Sequence, residues 1–160
     1  MDCHRTFFVT TVTAGRFPLF RRDSTSRLFL LTLAHYREQG KFLLHEFVIM
    51  PDHVHALLTP DPLISLERAM QFIKGGFSYR LKLRAPVWQE SFTNHRVRDF
   101  EDYENHREYI RMNPVRALLA ERAELYPYSS AAGAIRMDPV QWARPSLALE
   151  DASHPGSGRG

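Results

Sequence analysis

The chain is 160 residues long and has a single cysteine, Cys3, so no internal disulfide can form. That suits a reducing compartment and excludes a disulfide-stapled secreted scaffold. Missing as well is any uncharged apolar run near the roughly 20 residues that a membrane-spanning helix needs. Arg5 and Arg16 break up the N-terminal stretch, which does not read as a secretory signal. No internal repeat is visible. Acidic residues are absent between Glu67 and Glu90, whereas that interval carries five bases, Arg68, Lys74, Arg80, Lys82 and Arg84. A net charge of +3 is too small to identify a nucleic-acid partner, and the clustering of bases says more. With 44% hydrophobic and 12% aromatic residues, the chain suits one compact domain.

The order of elements follows from local pattern. Phe7 to Thr13 is aromatic and β-branched and ends at Ala14-Gly15, which predicts a first strand. From about Ser26 to Gln39 the period is helical, with Leu28, Leu31, Ala34 and Tyr36 on the apolar side and Gly40 as the stop. Phe42 to Met50 and His53 to Thr59 read as two strands joined by a tight Pro51-Asp52 turn, hence an antiparallel hairpin. A second helix, capped by Ser65, buries Leu66, Met70, Ile73, Phe77 and Leu81. Gly75-Gly76 within it allows a close approach or marks a kink. Val87 to Phe92 reads as a short strand or extended segment. Asp99 caps a third helix, which Asn113-Pro114 interrupts before a short further helix. Beyond about Gly133 the chain turns rich in Pro, Gly, Ser and Ala. The expectation is one domain over residues 1–132 and a flexible tail over 133–160. A β-α-β-β-α-β-α order predicts an α+β, ferredoxin-like (RRM-like) sandwich, an antiparallel sheet with helices on one face.

The chemistry centres on His53-Val54-His55. Alternate residues of a strand share a face, so the two imidazoles point together while Val54 points the other way. Such a pair is costly when merely buried and well placed to hold a divalent metal. A third donor is needed. On the third helix Tyr109 and Asn113 are four residues apart and share a face, with His106 one turn earlier. Phe100, Tyr103 and Ile110 fall on a different stripe, assigned to the core. Tyr109 is thus the tyrosine that could stand beside a metal held by His53, His55 and Asn113. A free phenol titrates near pH ~10 and attacks poorly at neutral pH. A metal that polarises a phosphate assists such an attack, and imidazole and amide donors hold Mg²⁺ or Mn²⁺ less tightly than Zn²⁺.

These residues lie in segments that carry a family resemblance. Met50-Pro51-Asp52-His53-Val54-His55, Lys74-Gly75-Gly76-Phe77-Ser78, Val87-Trp88-Gln89 and Tyr109-Ile110-Arg111-Met112-Asn113-Pro114-Val115-Arg116-Ala117 recur in the order seen in REP-associated tyrosine transposases. Those proteins are domesticated relatives of the single-tyrosine insertion-sequence transposases. Tyr126-Pro127-Tyr128-Ser129-Ser130-Ala131 resembles their closing motif, and His53-Val54-His55 is similar to the His-hydrophobic-His motif of HUH single-strand endonucleases. The resemblance covers roughly residues 5 to 132. It implies Tyr109 as the nucleophile of a 5′-phosphotyrosine link, with His53 and His55 as ligands of Mg²⁺ or Mn²⁺. Asn113 takes the third-ligand place, where many mobile-element relatives carry Gln. Single-stranded DNA, often hairpin-forming, is the implied substrate, in the cytoplasm at the nucleoid and away from membranes. Family members occur as monomers or as dimers with exchanged helices, and a homodimer stays open.

Several residues have a second reading. His53 and His55 could be satisfied structural histidines, and Asn113 before Pro114 could be an N-cap. His106 reads as a neighbour rather than a fourth ligand, while His45 and His95 show no comparable pairing. The bases Arg68, Lys74, Arg80, Lys82 and Arg84 could be a solvated helix face or contact DNA phosphates. Arg96, Arg98, Arg111 and Arg116 are further DNA candidates. Trp88, Phe92 and Tyr79 could stack on bases, with Trp88 better suited to the core. Three functions compete: a single-strand DNA transposase acting through Tyr109, a non-catalytic nucleic-acid-binding module on the same sandwich, and a relaxase or replication initiator of the same HUH chemistry, against which the short length argues.

Overall fold

The computed structural model describes residues 5–140. Four strands, β1 (Phe7–Val12), β2 (Phe42–Ile49), β3 (His53–Pro60) and β4 (Thr93–Arg96), form one antiparallel sheet in the order β2-β3-β1-β4. Two helices, α1 (Asp23–Glu38) and α2 (Leu66–Leu81), pack side by side on one face, as the sandwich predicts. A third, α3 (Phe100–Arg116), follows β4 and crosses to the opposite face. No helix among the described residues is long and apolar enough to cross a membrane.

Alternation along the strands builds the two layers. Val9, Val54, Ala56 and Leu58 point toward α1 and α2, where Phe29, Leu33, Met70, Ile73 and Phe77 meet them. Leu57 and Val48 point the other way, onto Tyr103 and Ile110 of α3. β2 serves both layers because its register slips between Leu44 and Glu46. Phe42 and Leu44 face the first layer before the bulge, and Phe47 and Ile49 face it afterwards. One extra residue reverses the alternation, so the adjacent polar pair His45 and Glu46 is accommodated without putting a charge into the apolar layer.

Several expectations change in detail. The buried side of α1 is Thr25, Ser26, Phe29, Thr32 and Leu33, whereas Leu31 is exposed. Thr32 escapes the penalty of a buried hydroxyl by donating to the Leu28 carbonyl at 2.9 Å. The fourth strand is Thr93–Arg96 rather than Val87 to Phe92; Trp88 makes only an isolated bridge to Thr13 and packs its indole among Phe20, Phe29 and Phe77. Asn113-Pro114 does not interrupt α3. The helix continues to Arg116, and Ala117 N–H bonds the Asn113 carbonyl at 3.0 Å. Proline near a helix end forfeits one hydrogen bond, and the buried Pro114 ring recovers apolar burial in its place. Residues 134–140, within the segment expected to be tail, run along β2. There Asp138 takes two hydrogen bonds from Arg37, at 2.9 and 2.7 Å, and one from Leu44 N–H at 2.8 Å.

The glycine pair is asymmetric. A Cβ on Gly76 would lie 2.5–2.9 Å from the Tyr36 ring, which sits between Phe72 and the Arg80 guanidinium, so Gly76 lets α1 and α2 approach. Gly75 faces open space. Urea unfolding should therefore separate them. Gly75→Ala is expected to stabilise the chain by up to about 1 kcal/mol, and Gly76→Ala to destabilise it by about 1–3 kcal/mol.

Candidate active site

β3 begins at the hairpin turn, where Met50 N–H bonds the His53 carbonyl at 2.8 Å. Opposite it, β1 aligns Val12 with His53 and Thr10 with His55. His53 and His55 therefore share the α3 face, their ring centroids 4.7 Å apart. Each imidazole is fixed through Nδ1. His53 Nδ1 lies 2.7 Å from the Asp52 carboxylate, and Asp52 also receives Arg16 at 3.2 Å. His55 Nδ1 lies 2.7 Å from the Thr10 hydroxyl. The carboxylate places a proton of His53 on Nδ1, so Nε2 is the nitrogen left for another partner; on His55, Nε2 is likewise the nitrogen left over.

Charge reinforces this arrangement. Burial, helped by the neighbouring His53, pushes the His55 imidazole down to about 3, so it is neutral at physiological pH. Burial on its own would raise the Asp52 carboxyl. The hydrogen bond and charge of His53, joined by Arg16, outweigh it and hold that carboxyl below its usual range.

Tyr109 reaches the same place from α3. Its ring meets His55 edge-on at 5.3 Å between centroids, and Phe8 at 6.0 Å. It is 43% exposed, so a ligand in solution can touch the hydroxyl. Tyr103 is different: burial and the charge of Glu46 push its phenol up, and it packs in the core. Asn113 is half-buried one turn beyond Tyr109, inside the helix, which removes the N-cap reading. Among the described residues its side chain has no hydrogen bond to either imidazole. His53, His55 and Tyr109 thus come together within one chain.

The seating of α3 depends on the β2 bulge. Glu46, 7% exposed, accepts from the Ser130 hydroxyl at 2.7 Å and pairs with Arg107 at 3.4 Å and Arg111 at 3.5 Å. Those arginines stand two residues either side of Tyr109. The row of bases that begins on α2 lies in a different layer from the histidines.

 Arg68 lies over the Phe72 ring at 4.6 Å and donates to Gln71, and Arg80 lies over Tyr36 at 5.2 Å. Lys74 Nζ donates to the Gln89 carbonyl at 3.1 Å, while Gln89 N–H bonds Val12 opposite His53, so Lys74 is tied to the histidine end of the sheet. Burial lowers its pKa. Lys82 caps α2 in a left-handed conformation, and Lys82 and Arg84 are exposed. Arg96 on β4 and Arg98 just after it are exposed beside the start of α3. Of the aromatic candidates, Tyr79 is open to solvent and Phe92 lies under Lys74 at 5.9 Å.

Two histidines that the sequence left without partners acquire them. His95 Nε2 lies 2.7 Å from Asp102 Oδ2, and the His95 and His106 rings stack at 4.8 Å. His45 is buried between the Asp138 carbonyl and the Thr59 hydroxyl, each at 2.8 Å. Spacing along the chain gave no signal for either, since each pairing depends on how the strands align. A hollow of about 850 Å³, lined by Arg5, Phe42, His45, Thr59 and Asp138, opens away from Tyr109 and the paired histidines.

The family model described as "Transposase IS200 like" matches residues 5–113, more than half of the chain. The chain belongs to the IS200-like transposase family. It is 28% identical over 105 residues to the REP-associated tyrosine transposase of Escherichia coli (strain K12), covering 64% of this chain and 63% of that protein. Over 96 residues it is 32% identical to a putative REP-associated tyrosine transposase of Haemophilus influenzae, covering 51% of this chain and 54% of the relative. The aligned parts thus span less than two thirds of both relatives. In fold the chain is similar to a REP-associated tyrosine transposase bound to a REP hairpin, with a TM-score of 0.68, 23% identity and coverage of 98% of this chain and 92% of the other. A putative transposase from Deinococcus radiodurans R1 gives a TM-score of 0.51 at 21% identity, over 66% of this chain and 87% of that one.

Thr10 offers a direct check on how this family member holds His55. Thr10→Val keeps the shape but leaves a buried imidazole nitrogen without its partner, at a cost of about 1–3 kcal/mol. Urea unfolding measures it; a change below about 0.5 kcal/mol would mean that the hydrogen bond does not hold the ring.

Proposed function

We propose that this chain is a single-strand DNA transposase that cuts and rejoins DNA through Tyr109. The observation that carries the reading is the meeting of Tyr109 with His55, at 5.3 Å between rings, on the face where His53 also lies. A phenol beside the two imidazoles is poorly explained as packing alone, because Tyr109 remains 43% exposed.

The donor set fits a divalent metal. His53 and His55 each have Nδ1 engaged and Nε2 free, and Asn113 is the residue we assign to the third position. Mg²⁺ or Mn²⁺ bound there would supply charge to polarise the scissile phosphate. The residues of the chain do the rest. Asp52 and Thr10 keep the imidazoles oriented, and α3 brings the Tyr109 hydroxyl to the phosphate. In the transfer, the Tyr109 oxygen forms a bond to phosphorus while the bond from phosphorus to the 3′ oxygen breaks. The phenol gives up its proton and the departing 3′ oxygen gains one, so no oxidant or water is consumed. The resulting 5′-phosphotyrosine retains a phosphodiester, and attack by a 3′ hydroxyl reverses the step and joins strands.

The bases supply the electrostatic part of binding. Arg96, Arg98, Arg111 and Arg116 belong to β4, α3 and the turn between them, and we assign them contacts to phosphates near the cut. Lys74, at the histidine end of the sheet, extends that path, with Arg68, Arg80, Lys82 and Arg84 on the outer layer taking DNA farther from the cut. The similar solved protein is bound to a REP hairpin, and we assign this chain a hairpin-forming single strand as its substrate.

Incubation with labelled hairpin-forming single-stranded DNA and Mn²⁺ tests the proposal, read as a DNA–protein adduct that survives denaturing electrophoresis. The adduct is expected from the native chain and from Tyr103→Phe provided that variant folds, and is expected to vanish in Tyr109→Phe with DNA affinity retained. DNA binding without any adduct from the native chain would favour a non-catalytic binding module.

A further inference from the structure

The cluster His95, Asp102 and His106 lies outside the assigned site. His95 comes from β4, opposite Phe8 of β1, and the other two come from the first turns of α3. One ligand atom from each residue can be chosen so that all lie within 4.8 Å of one another. Asp102 Oδ2 accepts from His95 Nε2 at 2.7 Å and from Arg98 N–H at 3.0 Å, and Asp102 Oδ1 lies 3.1 Å from His106 Nδ1. All three side chains are partly exposed, so an ion can reach them from solvent.

The donor types argue that these groups share a cation. The two imidazoles stack at 4.8 Å with an interplanar angle of 22°, beside one carboxylate. Imidazole nitrogens and a carboxylate oxygen match the donor types of Zn²⁺ and similar ions. Donors on a zinc ion bound at about 2.0–2.2 Å lie closer together than 4.8 Å, and rotation of the half-exposed His95 ring is the motion that closes the set. The hydrogen bond from His95 to Asp102 and the contacts of His106 Nδ1 with the Asp102 main-chain carbonyl at 2.8 Å and its carboxylate hold the three residues together beforehand.

We propose that His95, Asp102 and His106 form a second metal site, selective for a transition ion such as Zn²⁺ over Mg²⁺. The ion links β4 to α3, the helix that carries Tyr109 one turn beyond His106. Phe8 separates this site from the first, with its ring 4.7 Å from that of His106 and 5.3 Å from that of His55. The assignment is independent of the role of Tyr109 and of DNA cleavage.

The test is a Zn²⁺ titration of the full chain in excess Mg²⁺, followed through the imidazole ring signals in NMR spectra. His95→Gln and His106→Gln identify their own signals. The proposal expects the His95 and His106 signals to shift together and saturate, whatever happens to His53 and His55. It also expects His95→Gln to weaken Zn²⁺ binding at His106 by about tenfold or more. Signals of His95 and His106 that stay fixed while Zn²⁺ reaches saturation elsewhere would overturn the second site. So would unchanged affinity at His106 in His95→Gln.

Discussion

A carboxylate buried between a sheet and a helix decides how this molecule is put together. Glu46 is nearly inaccessible, and Ser130, Arg107 and Arg111 supply the polar partners that a buried carboxyl group requires. It reaches them because the β2 bulge turns it toward α3. With unbroken alternation Glu46 would share the face of Phe42 and Leu44, among the aromatic side chains of the α1–α2 layer. The bulge, the ion cluster and the seating of α3 are therefore a single constraint. Tyr109 stands between the two arginines, so its approach to His55 follows from the same seating.

The histidine face is organised on a related principle. Its strands carry polar residues where burial is high, and on this face His55 is matched by Thr10, His53 by Asp52 and Asp52 by Arg16. Burial keeps His55 neutral, so no positive charge sits on the ring that meets Tyr109. Tight packing and the orientation of the two imidazoles thus draw on the same contacts. On the far side of the sheet the aromatic cluster of Phe20, Phe29, Phe77 and Trp88 has no such polar demand and serves as the rigid support.

Much of this was legible in the sequence. The α2 stripe from Leu66 to Leu81, the Ser65 and Asp99 caps and the Pro51-Asp52 hairpin are local features, and local rules read them correctly. Alternation likewise put His53 and His55 on one face, and helical spacing separated Tyr109 from Tyr103. What escaped was decided by distant partners. The buried side of α1 uses Thr25, Ser26 and Thr32, polar residues that become core only through hydrogen bonds to the backbone or through close packing. Pro114 stays helical because tertiary burial overrides its local preference. The bases of α2, candidates for DNA phosphates in the sequence, lie across the sheet from the histidines, with Lys74 tied to the histidine end of it. His95 and His106 are linked only by the geometry of β4 against α3, which no spacing rule encodes.

The central claim is that one chain assembles the whole reactive pair, since Tyr109 meets His55 without help from a second copy. The most direct measurement mixes two inactive proteins, Tyr109→Phe and His55→Ala, with single-stranded DNA and Mn²⁺, and looks for a covalent adduct. The account predicts that the native chain forms the adduct and the mixture does not, because neither protein holds both groups. An adduct regained in the mixture, carried by the His55→Ala chain, would contradict it and mean that Tyr109 acts at the histidines of a partner.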